Sequence, residues 1–554
     1  RSPEGDIWLQ KHGEEISRLF DSDTIRLILS MNLPPGKKPA YYNPQVRTKI
    51  KEGVLQYRVR GTIGGDKVMY DGDTAAHTAS MQLIKIFLNS VVSQKDAKFM
   101  TADIKDFYLG TPLREPEYMR IKLDHIPQDV IAKYDMDKYA HNGSVIVAVH
   151  KGIYGLPQAG KLAQDRLIKH LATHGYHLAD NTPCLFKHES NSVSFTLVVD
   201  DFGIKYTKSE DADHLLAALR ELYIMIEDRA VTQKFVGITI EHERNKNIIY
   251  MSMPGYCEKA LQRFGGAKHT GAKSPLRYTP PQYGAQQQQT RELSPAACEY
   301  VDAKTTTFVQ EVTGVFLFYS RAVDPTMLSA VNKISAEQSK PTRATLEAVD
   351  RLLSYAERYP IAKIVLRPSN MKLCVQSDAS YHSERGARSR AGGILYFGLN
   401  TDGSINGAID HMSTIIPTVC ASAAEAEYAS LFLICREATN ARNILADLGY
   451  PQDTTAVICD NKCAVGIAND DIKLKRSKAI DMRYHWIRDQ VRQDKFSVTW
   501  EKGSTNLADY HTKAHPVHHV VTMRRTFVYT PTAQTIQESA RSRRIETKKK
   551  TQSQ

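Results

Sequence analysis

Long apolar runs are missing from this sequence of 554 residues, so no membrane-spanning helix is expected. Cysteine is scarce, with eight residues and no Cys-x-x-Cys pair. That argues against a zinc ribbon and against a secreted disulfide framework, and it predicts reduced thiols in an intracellular protein. The first residues, Arg1-Ser2-Pro3-Glu4-Gly5, have neither a Met nor the apolar stretch of a signal peptide, which suggests a piece of a longer chain. The glycine-punctuated stretch from Gly152 to Gly160 lacks the Gly-Lys-Ser/Thr ending of a phosphate-binding loop, which disfavours ATP. Acidic residues are the minority, 61 against 73 Lys plus Arg, for a net charge of +12. A basic excess points to polyanions, nucleic acid first. The length is too great for one core, so several domains are expected.

What stands out is Val198-Val199-Asp200-Asp201, flanked by Ser192 to Leu197 and by Phe202 to Tyr206. Both flanks are β-branched or aromatic with partial alternation, the pattern of two hairpin strands. Adjacent carboxylates at an apolar hairpin tip repel and resist burial, so a positive partner is expected there. A tight polar turn would favour Asn-Gly or Gly-first pairs, which are absent. Lys98-Phe99-Met100-Thr101-Ala102-Asp103 adds a strand ending in a third acid. Acids from separate strands that clamp divalent cations suit two-metal phosphoryl transfer.

Three segments carry a resemblance: Thr101-Ala102-Asp103-Ile104-Lys105-Asp106-Phe107-Tyr108, then Tyr154-Gly155-Leu156-Pro157-Gln158-Ala159-Gly160, then Val199-Asp200-Asp201. In that order they resemble the polymerase motifs of a reverse transcriptase, in the style of copia-type LTR retrotransposon Pol polyproteins. The resemblance implies an α/β (α+β) multidomain chain, a right-hand polymerase of fingers, palm and thumb followed by an RNase H-like domain. It implies Asp103, Asp200 and Asp201 as ligands of Mg²⁺ or Mn²⁺. It also implies that Arg58 and Arg60, on the alternating strand Val54 to Gly61, hold the dNTP triphosphate, that Gln158 supports nucleotide and template, and that Tyr108 walls the incoming sugar. Phe107 is expected to face away from Tyr108 if that segment is extended. Lys234 to Thr239 resembles a primer-grip turn.

From Met371 a second acidic pattern begins. Asp378 and Asp460 end strands, Glu425 opens a long helix from Ala421 to Leu448, and Asp509 is expected to open a last helix. This order resembles a ribonuclease H, with Asp378, Glu425, Asp460 and Asp509 as its metal-binding acids. Ser422-Ala423-Ala424-Glu425 also reads as a capping box, and Glu427 is expected to point elsewhere, because near neighbours on a helix do not share a face. Retroviral enzymes carry a His before the final Asp, and Trp500-Glu501-Lys502-Gly503 has none. His511, His515, His518 and His519 read as a solvated, basic helix end rather than a zinc site.

The expected organisation is polymerase in 1–265, linker and connection in 266–370, nuclease in 371–530, and a basic, disordered tail in 531–554. The partners implied are RNA template, DNA primer, RNA–DNA hybrid, dNTPs and other parts of a parent polyprotein, with no membrane. The compartment implied is a cytoplasmic virus-like particle or the nucleus. The rival reading is a degenerate, non-catalytic nucleic-acid-binding remnant. All seven matched acids are present, which decay would be expected to have eroded.

Overall fold

The computed structural model describes residues 3–51, 54–266, 271–280, 298–471 and 482–529. The Gln-rich run before Arg291, the Ala479-Ile480-Asp481 stretch and the basic tail lie outside them. The chain divides into two compact units. One holds Arg1–Ala79, Met100–Ala179 and Pro183–Asp228, and the other holds Ser80–Phe99, Asp180–Thr182 and the described residues from Arg229 on.

The first unit opens with the helix Pro3–Asp21. The sequence pattern extends this helix to Leu29, but Asp23 takes a left-handed φ of 55° and Ile25–Ile28 becomes a strand. β-branched residues at both ends of that tetrapeptide favour the extended form. Its sheet runs Ile25–Ile28, Ser144–Lys151, Pro112–Lys122, Ala40–Lys51, Val54–Ile63. Ile16, Leu19, Met119, Val147, Ile153 and Leu156 share one core beneath it.

A second sheet in this unit runs Met225–Asp228, Lys98–Ile104, Asp201–Tyr206, Ser194–Val198, Leu185–His188, Tyr176–Leu178. Its inner residues Ala102, Ile104, Phe186, Phe195, Leu197, Phe202 and Ile204 are buried. The helices Ala159–Ala172 and Ser209–Arg220 turn Leu167, Leu171, Leu215 and Leu219 inward. Pro157 sits ahead of the first of these helices and Gly175, with φ 79°, just after it, the expected order of start and stop signals.

In the second unit the helix Met81–Ser93 is buried from Gln82 to Val92. Gln82, Lys85 and Asn89 form a polar stripe on one face, and they are buried along with the apolar faces, which marks a helix enclosed on all sides rather than one lying on a surface. The Lys85 Nζ donates to the Arg321 carbonyl at 2.6 Å. Burial lowers its pKa to about 8, while Asp410 opposes that shift.

An antiparallel sheet of Thr232–Phe235, Ile238–Glu243, Ile248–Ser252 and Lys363–Leu366 follows. Its first turn is the segment read as a primer grip. Val236 and Gly237 both have positive φ, 51° and 77°, as a two-residue hairpin of matching twist requires. Helices Ala303–Ala322, Leu328–Glu337 and Arg343–Arg358 come next, with breaks where the sequence has Asp324-Pro325 and Lys340-Pro341. The first break holds an ion pair. Asp324, fully buried, accepts from Arg524 Nη1 at 2.6 Å. Removing either partner would strand a buried charge.

The last sheet has the order Asp410–Ile415, Arg388–Tyr396, Cys374–Glu384, Thr455–Cys459, Phe496–Trp500. The first three strands are antiparallel, and the last two run parallel to Cys374–Glu384 and to each other. The helix Ala423–Asp447 lies on this sheet, with Tyr428, Leu431, Cys435, Ala438, Ala441 and Leu445 buried. Asp509 sits in a short 3₁₀ turn, Leu507–His511, and the last described helix is Val517–Phe527.

Candidate active sites

Two carboxylate clusters emerge, one on each unit. In the first, the turn between Ser194–Val198 and Asp201–Tyr206 has two residues, since Val198 pairs with Asp201. Val199 takes φ 60°, a conformation that a β-branched residue adopts only under constraint. The Asp200 carbonyl accepts from Ile104 N at 3.1 Å, so the turn is tied to the residue beside Asp103. Burial, then Asp200 and Asp201, push the Asp103 carboxyl up to about 6. Burial also raises Asp200, against its own backbone hydrogen bond and the charge of Arg60. Three half-buried acids thus crowd one sheet end, a donor set of hard oxygens that suits Mg²⁺ or Mn²⁺.

Arg60 is half-buried, with its guanidinium 3.8 Å from the centre of the Tyr154 ring. Arg58 is exposed on the same strand, and no contact brings it to the acids. Tyr154 is held in place by backbone. Ile63 N donates to its carbonyl at 2.9 Å. The next residue, Gly155, has φ 97°, and a Cβ there would lie 2.1 Å from the Ile63 carbonyl oxygen. Only glycine fits that approach.

Tyr108 lies edge-on to Tyr154, ring centres 5.2 Å apart. Burial, then Asp200, raise its pKa, which places its hydroxyl in the field of the acid cluster. Phe107 is buried and packs near Tyr223. The segment is not extended, so the two rings do not alternate across a strand: Phe107–Gly110 is a 3₁₀ turn entered through Asp106 at φ 56°, and the Phe107 and Tyr108 rings stay neighbours, tilted with centres 5.7 Å apart. Gln158 is buried at the start of its helix, and its Nε2 donates to Glu117 Oε1 at 3.1 Å. That hydrogen bond goes to Glu117 and not to Asp103, Asp200 or Asp201.

In the second cluster, Ser377 pairs with Cys459 across parallel strands, which sets Asp378 beside Asp460. Asn506 Nδ2 donates to the Ser377 carbonyl at 2.8 Å and Leu507 N to Gln376 Oε1 at 2.7 Å, which fasten the Asp509 turn to the same strand. Opposite Asp378 is Gly392, where a Cβ would lie 2.7 Å from the Ala508 carbonyl oxygen. Thr512 Oγ1 donates to Asp378 Oδ2 at 2.7 Å. Burial, then Asp509, push Asp378 up to about 7.

The fourth acid here is Glu427, not Glu425. Burial, then Asp378 and Asp460, push Glu427 up to about 9. Glu425 turns back on the helix start. Its Oε2 accepts from Ala421 N at 2.6 Å, and its own N donates to Ser422 Oγ at 3.2 Å. The capping reading of Ser422-x-x-Glu425 therefore describes Glu425, and the expectation that Glu427 points away is reversed. Two positions along a helix are a turn of about 200°, so only one of the pair can face the strands.

Lys513 is a residue the sequence reading missed. Its Nζ forms an ion pair with Asp509. Burial opposes its charge, but Asp509, Asp378 and Asp460 outweigh that and raise its pKa. An ammonium thus stands among the acids. The available signal was the spacing of Asp509 and Lys513, four residues apart.

The histidine segment is also unlike its sequence reading. His511 is fully buried and His515 is 7% exposed. His511 Nε2 is 2.8 Å from His411 Nδ1, a single hydrogen bond whose donor depends on the tautomer. Burial, then His515, lower His511 to about 3, so it is neutral at ordinary pH. Strand Asp410–Ile415 covers this segment, and nothing in its local sequence announces that.

No protein-family model matches the chain. It is 24% identical over 523 residues to the retrovirus-related Pol polyprotein from transposon TNT 1-94 of Nicotiana tabacum, covering 93% of this chain and 37% of that protein. It is 27% identical over 375 residues to the retrovirus-related Pol polyprotein from transposon RE1 of Arabidopsis thaliana, covering 66% of this chain and 24% of that protein. The chain therefore spans only about a quarter to little more than a third of the length of these relatives. Among solved structures, a foamy viral protease-reverse transcriptase in complex with double-stranded DNA aligns with a TM-score of 0.50 and 11% identity, over 89% of this chain and 69% of that one. The fold is accordingly a right-hand polymerase followed by an RNase H-like α/β domain. By sequence, the chain is a homologue of the retrovirus-related Pol polyproteins of plant transposons.

Proposed function

We propose that the chain is an RNA-directed DNA polymerase joined to a ribonuclease H. The observation that carries this reading is the pair of acid clusters on two separate sheets: Asp103, Asp200 and Asp201 on one, Asp378, Glu427, Asp460 and Asp509 on the other. In each, clustered carboxylates strain against their own charge, a state that cations relieve. Mg²⁺ or Mn²⁺ bound there would stabilise attacking and leaving oxygens of a phosphoryl transfer. The protein's own share is positioning. The hairpin tip and the neighbouring strand fix three acids for a primer 3′-hydroxyl and a dNTP. Two strands, the Asp509 turn and the helix start hold four for the RNA of a hybrid. Arg60 is assigned to the triphosphate, a role that its planar fork suits and that its charge beside Asp200 supports. Arg58, exposed and farther along the strand, is assigned to an outer contact, and Gln158 to support of the loop beneath the nucleotide.

Fingers, palm and thumb are assigned to 1–265, connection to 266–370, nuclease to 371–530 and a basic tail to 531–554. The helix Met81–Ser93 packs within the second unit. Among the described residues no helix is long and apolar enough to cross a membrane. The partners proposed are RNA template, DNA primer, hybrid and dNTPs, with the remainder of a parent polyprotein, in an intracellular particle or the nucleus.

The direct test extends a DNA primer on an RNA template with Mg²⁺ and dNTPs and follows both strands on a gel. Growth of the primer with shortening of the template is expected. Tight hybrid binding with neither change would favour the non-catalytic remnant.

The net charge of +12 leads to an expectation about binding. Hybrid affinity should fall by roughly a thousandfold or more between about 50 and 200 mM salt, through release of phosphate counterions. A flat response in a fluorescence-anisotropy titration would contradict phosphate-led binding.

Tyr108 supplies another expectation. Set between Tyr154 and the Asp200 field, its ring would close on the sugar of an incoming nucleotide, and a 2′-hydroxyl would overlap it. Tyr108→Val should raise rNTP insertion while dNTP use is largely kept. Phe107→Val should lower stability instead, since that ring is core. Single-nucleotide insertion kinetics with matched dNTP and rNTP decide it, and an unchanged preference in active Tyr108→Val removes the steric role.

A further inference from the structure

Away from both acid clusters, the polymerase unit gathers His170, His174 and Glu221 on one spot. His170 is in the last turn of the helix Ala159–Ala172, and His174 follows four residues on, before Gly175 ends the helical path at φ 79°. Positions four apart share a helix face, and the two rings are 4.9 Å apart, centre to centre. Glu221 comes from the other side, at the end of the helix Ser209–Arg220. Its Oε2 is 3.2 Å from His174 Nε2 and 3.9 Å from His170 Nε2. One ligand atom from each residue lies within 4.8 Å of the others.

A fourth donor is present. His170 Nε2 is 2.7 Å from the Ala218 carbonyl oxygen, one of the last carbonyls of the helix Ser209–Arg220. Carbonyls there lack intrahelical partners, and the helix dipole turns its negative end to the same place. Two imidazoles, a carboxylate and a helix-end carbonyl therefore converge where a cation is favoured.

We propose that this is a binding site for a transition-metal ion of the zinc class, which clips the end of one helix to the end of the other. Two imidazole nitrogens select Zn²⁺, Co²⁺ or Ni²⁺ over Mg²⁺, which prefers an all-oxygen shell. His170 Nε2 carries the proton that it donates to the Ala218 carbonyl, so binding shifts that proton to Nδ1 or releases it to solvent, and both imidazoles coordinate through unprotonated Nε2 in the neutral form. The helix Ala159–Ala172 begins just after the Gln158 loop, so the clip fixes the far end of an element that reaches the polymerase site. Its effect is on stability rather than on the chemical step.

The test uses the full chain in excess Mg²⁺, which fills the carboxylate clusters. Co²⁺ is added and the visible absorption of a tetrahedral or five-coordinate ion is followed, then Zn²⁺ is added as competitor. A second histidine group, Asp509 with His515 and His519, could also take the ion, so His519→Ala is the background for every titration. In that background one equivalent should give the Co²⁺ band. About a hundredfold excess of Zn²⁺ over its dissociation constant should raise the melting temperature by roughly 5 °C. His174→Ala should lose both signals while primer extension in Mg²⁺ is unchanged. Glu221→Gln, at a side chain 56% exposed, gives the same reading without risk to folding, and should weaken Co²⁺ binding at least tenfold. The same band and the same melting shift in His174→Ala and Glu221→Gln as in their background would overturn the site.

Discussion

Glu427→Gln should reduce hybrid cleavage by more than about 100-fold, since loss of groups that merely support metal ligands already costs about 10–100-fold. Primer extension should stay near wild type. The fold should survive, because Glu427 is pushed up to about 9 and so is held protonated before a metal arrives. An amide of the same shape resembles that protonated form. Glu425→Ala should do the opposite. It removes the acceptor for Ala421 N and costs roughly 1 kcal/mol of helix capping, with cleavage kept. Labelled-RNA cleavage and thermal melts on both variants give the answer. Active Glu427→Gln beside dead but folded Glu425→Ala would restore the sequence assignment and discard the geometric one.

This pair shows what the sequence could and could not carry. The strand-end acids were legible because each closes an apolar run, and Asp103, Asp200, Asp378 and Asp460 all lie where those runs end or pause. The hairpin of Asp200 was legible in its flanks, although the turn is built on Val199, the residue that turn chemistry would least suggest. Glu425 against Glu427 was not decidable from local pattern. Both choices satisfy the helix, and the packing of helix on sheet decides: Ser430, three residues on from Glu427, donates to the Asp378 carbonyl at 2.7 Å, so that face meets the acids. His511 and His515 were misread for a related reason. Polar residues near a chain end look solvated until a distant strand, here Asp410–Ile415, covers them. The helix Met81–Ser93 buries Gln82 with its apolar residues, and its local pattern does not name the partners of that amide. These are Glu437, whose carbonyl accepts from Gln82 at 3.3 Å, and Asn440, which donates to Gln82 Oε1 at 2.5 Å. Local chemistry thus predicts elements and their acids, whereas long-range packing decides which acids meet.

Asp200→Asn should lower primer extension by about 10²–10³-fold or more, the loss typical of removing one preorganised electrostatic group. Hybrid cleavage should remain within a few-fold. The hairpin should keep its shape, because the link to the neighbouring strand runs through the Asp200 carbonyl, which asparagine retains. What is lost is one of three negative charges. Asp103, now raised by burial and by Asp200 and Asp201, should then ionise more readily, since one of its two repelling neighbours has gone. A variant that folds, holds an easier Asp103 and still fails to extend a primer locates the loss in metal binding rather than in structure. The nuclease acids sit on another sheet in the other unit, with Asp378, Glu427, Asp460 and Asp509 untouched. Extension and cleavage measured on one substrate, with a melt to check folding, separate the outcomes. Extension within tenfold of wild type would remove Asp200 from the metal site, and loss of cleavage in a folded Asp200→Asn chain would refute two independent centres.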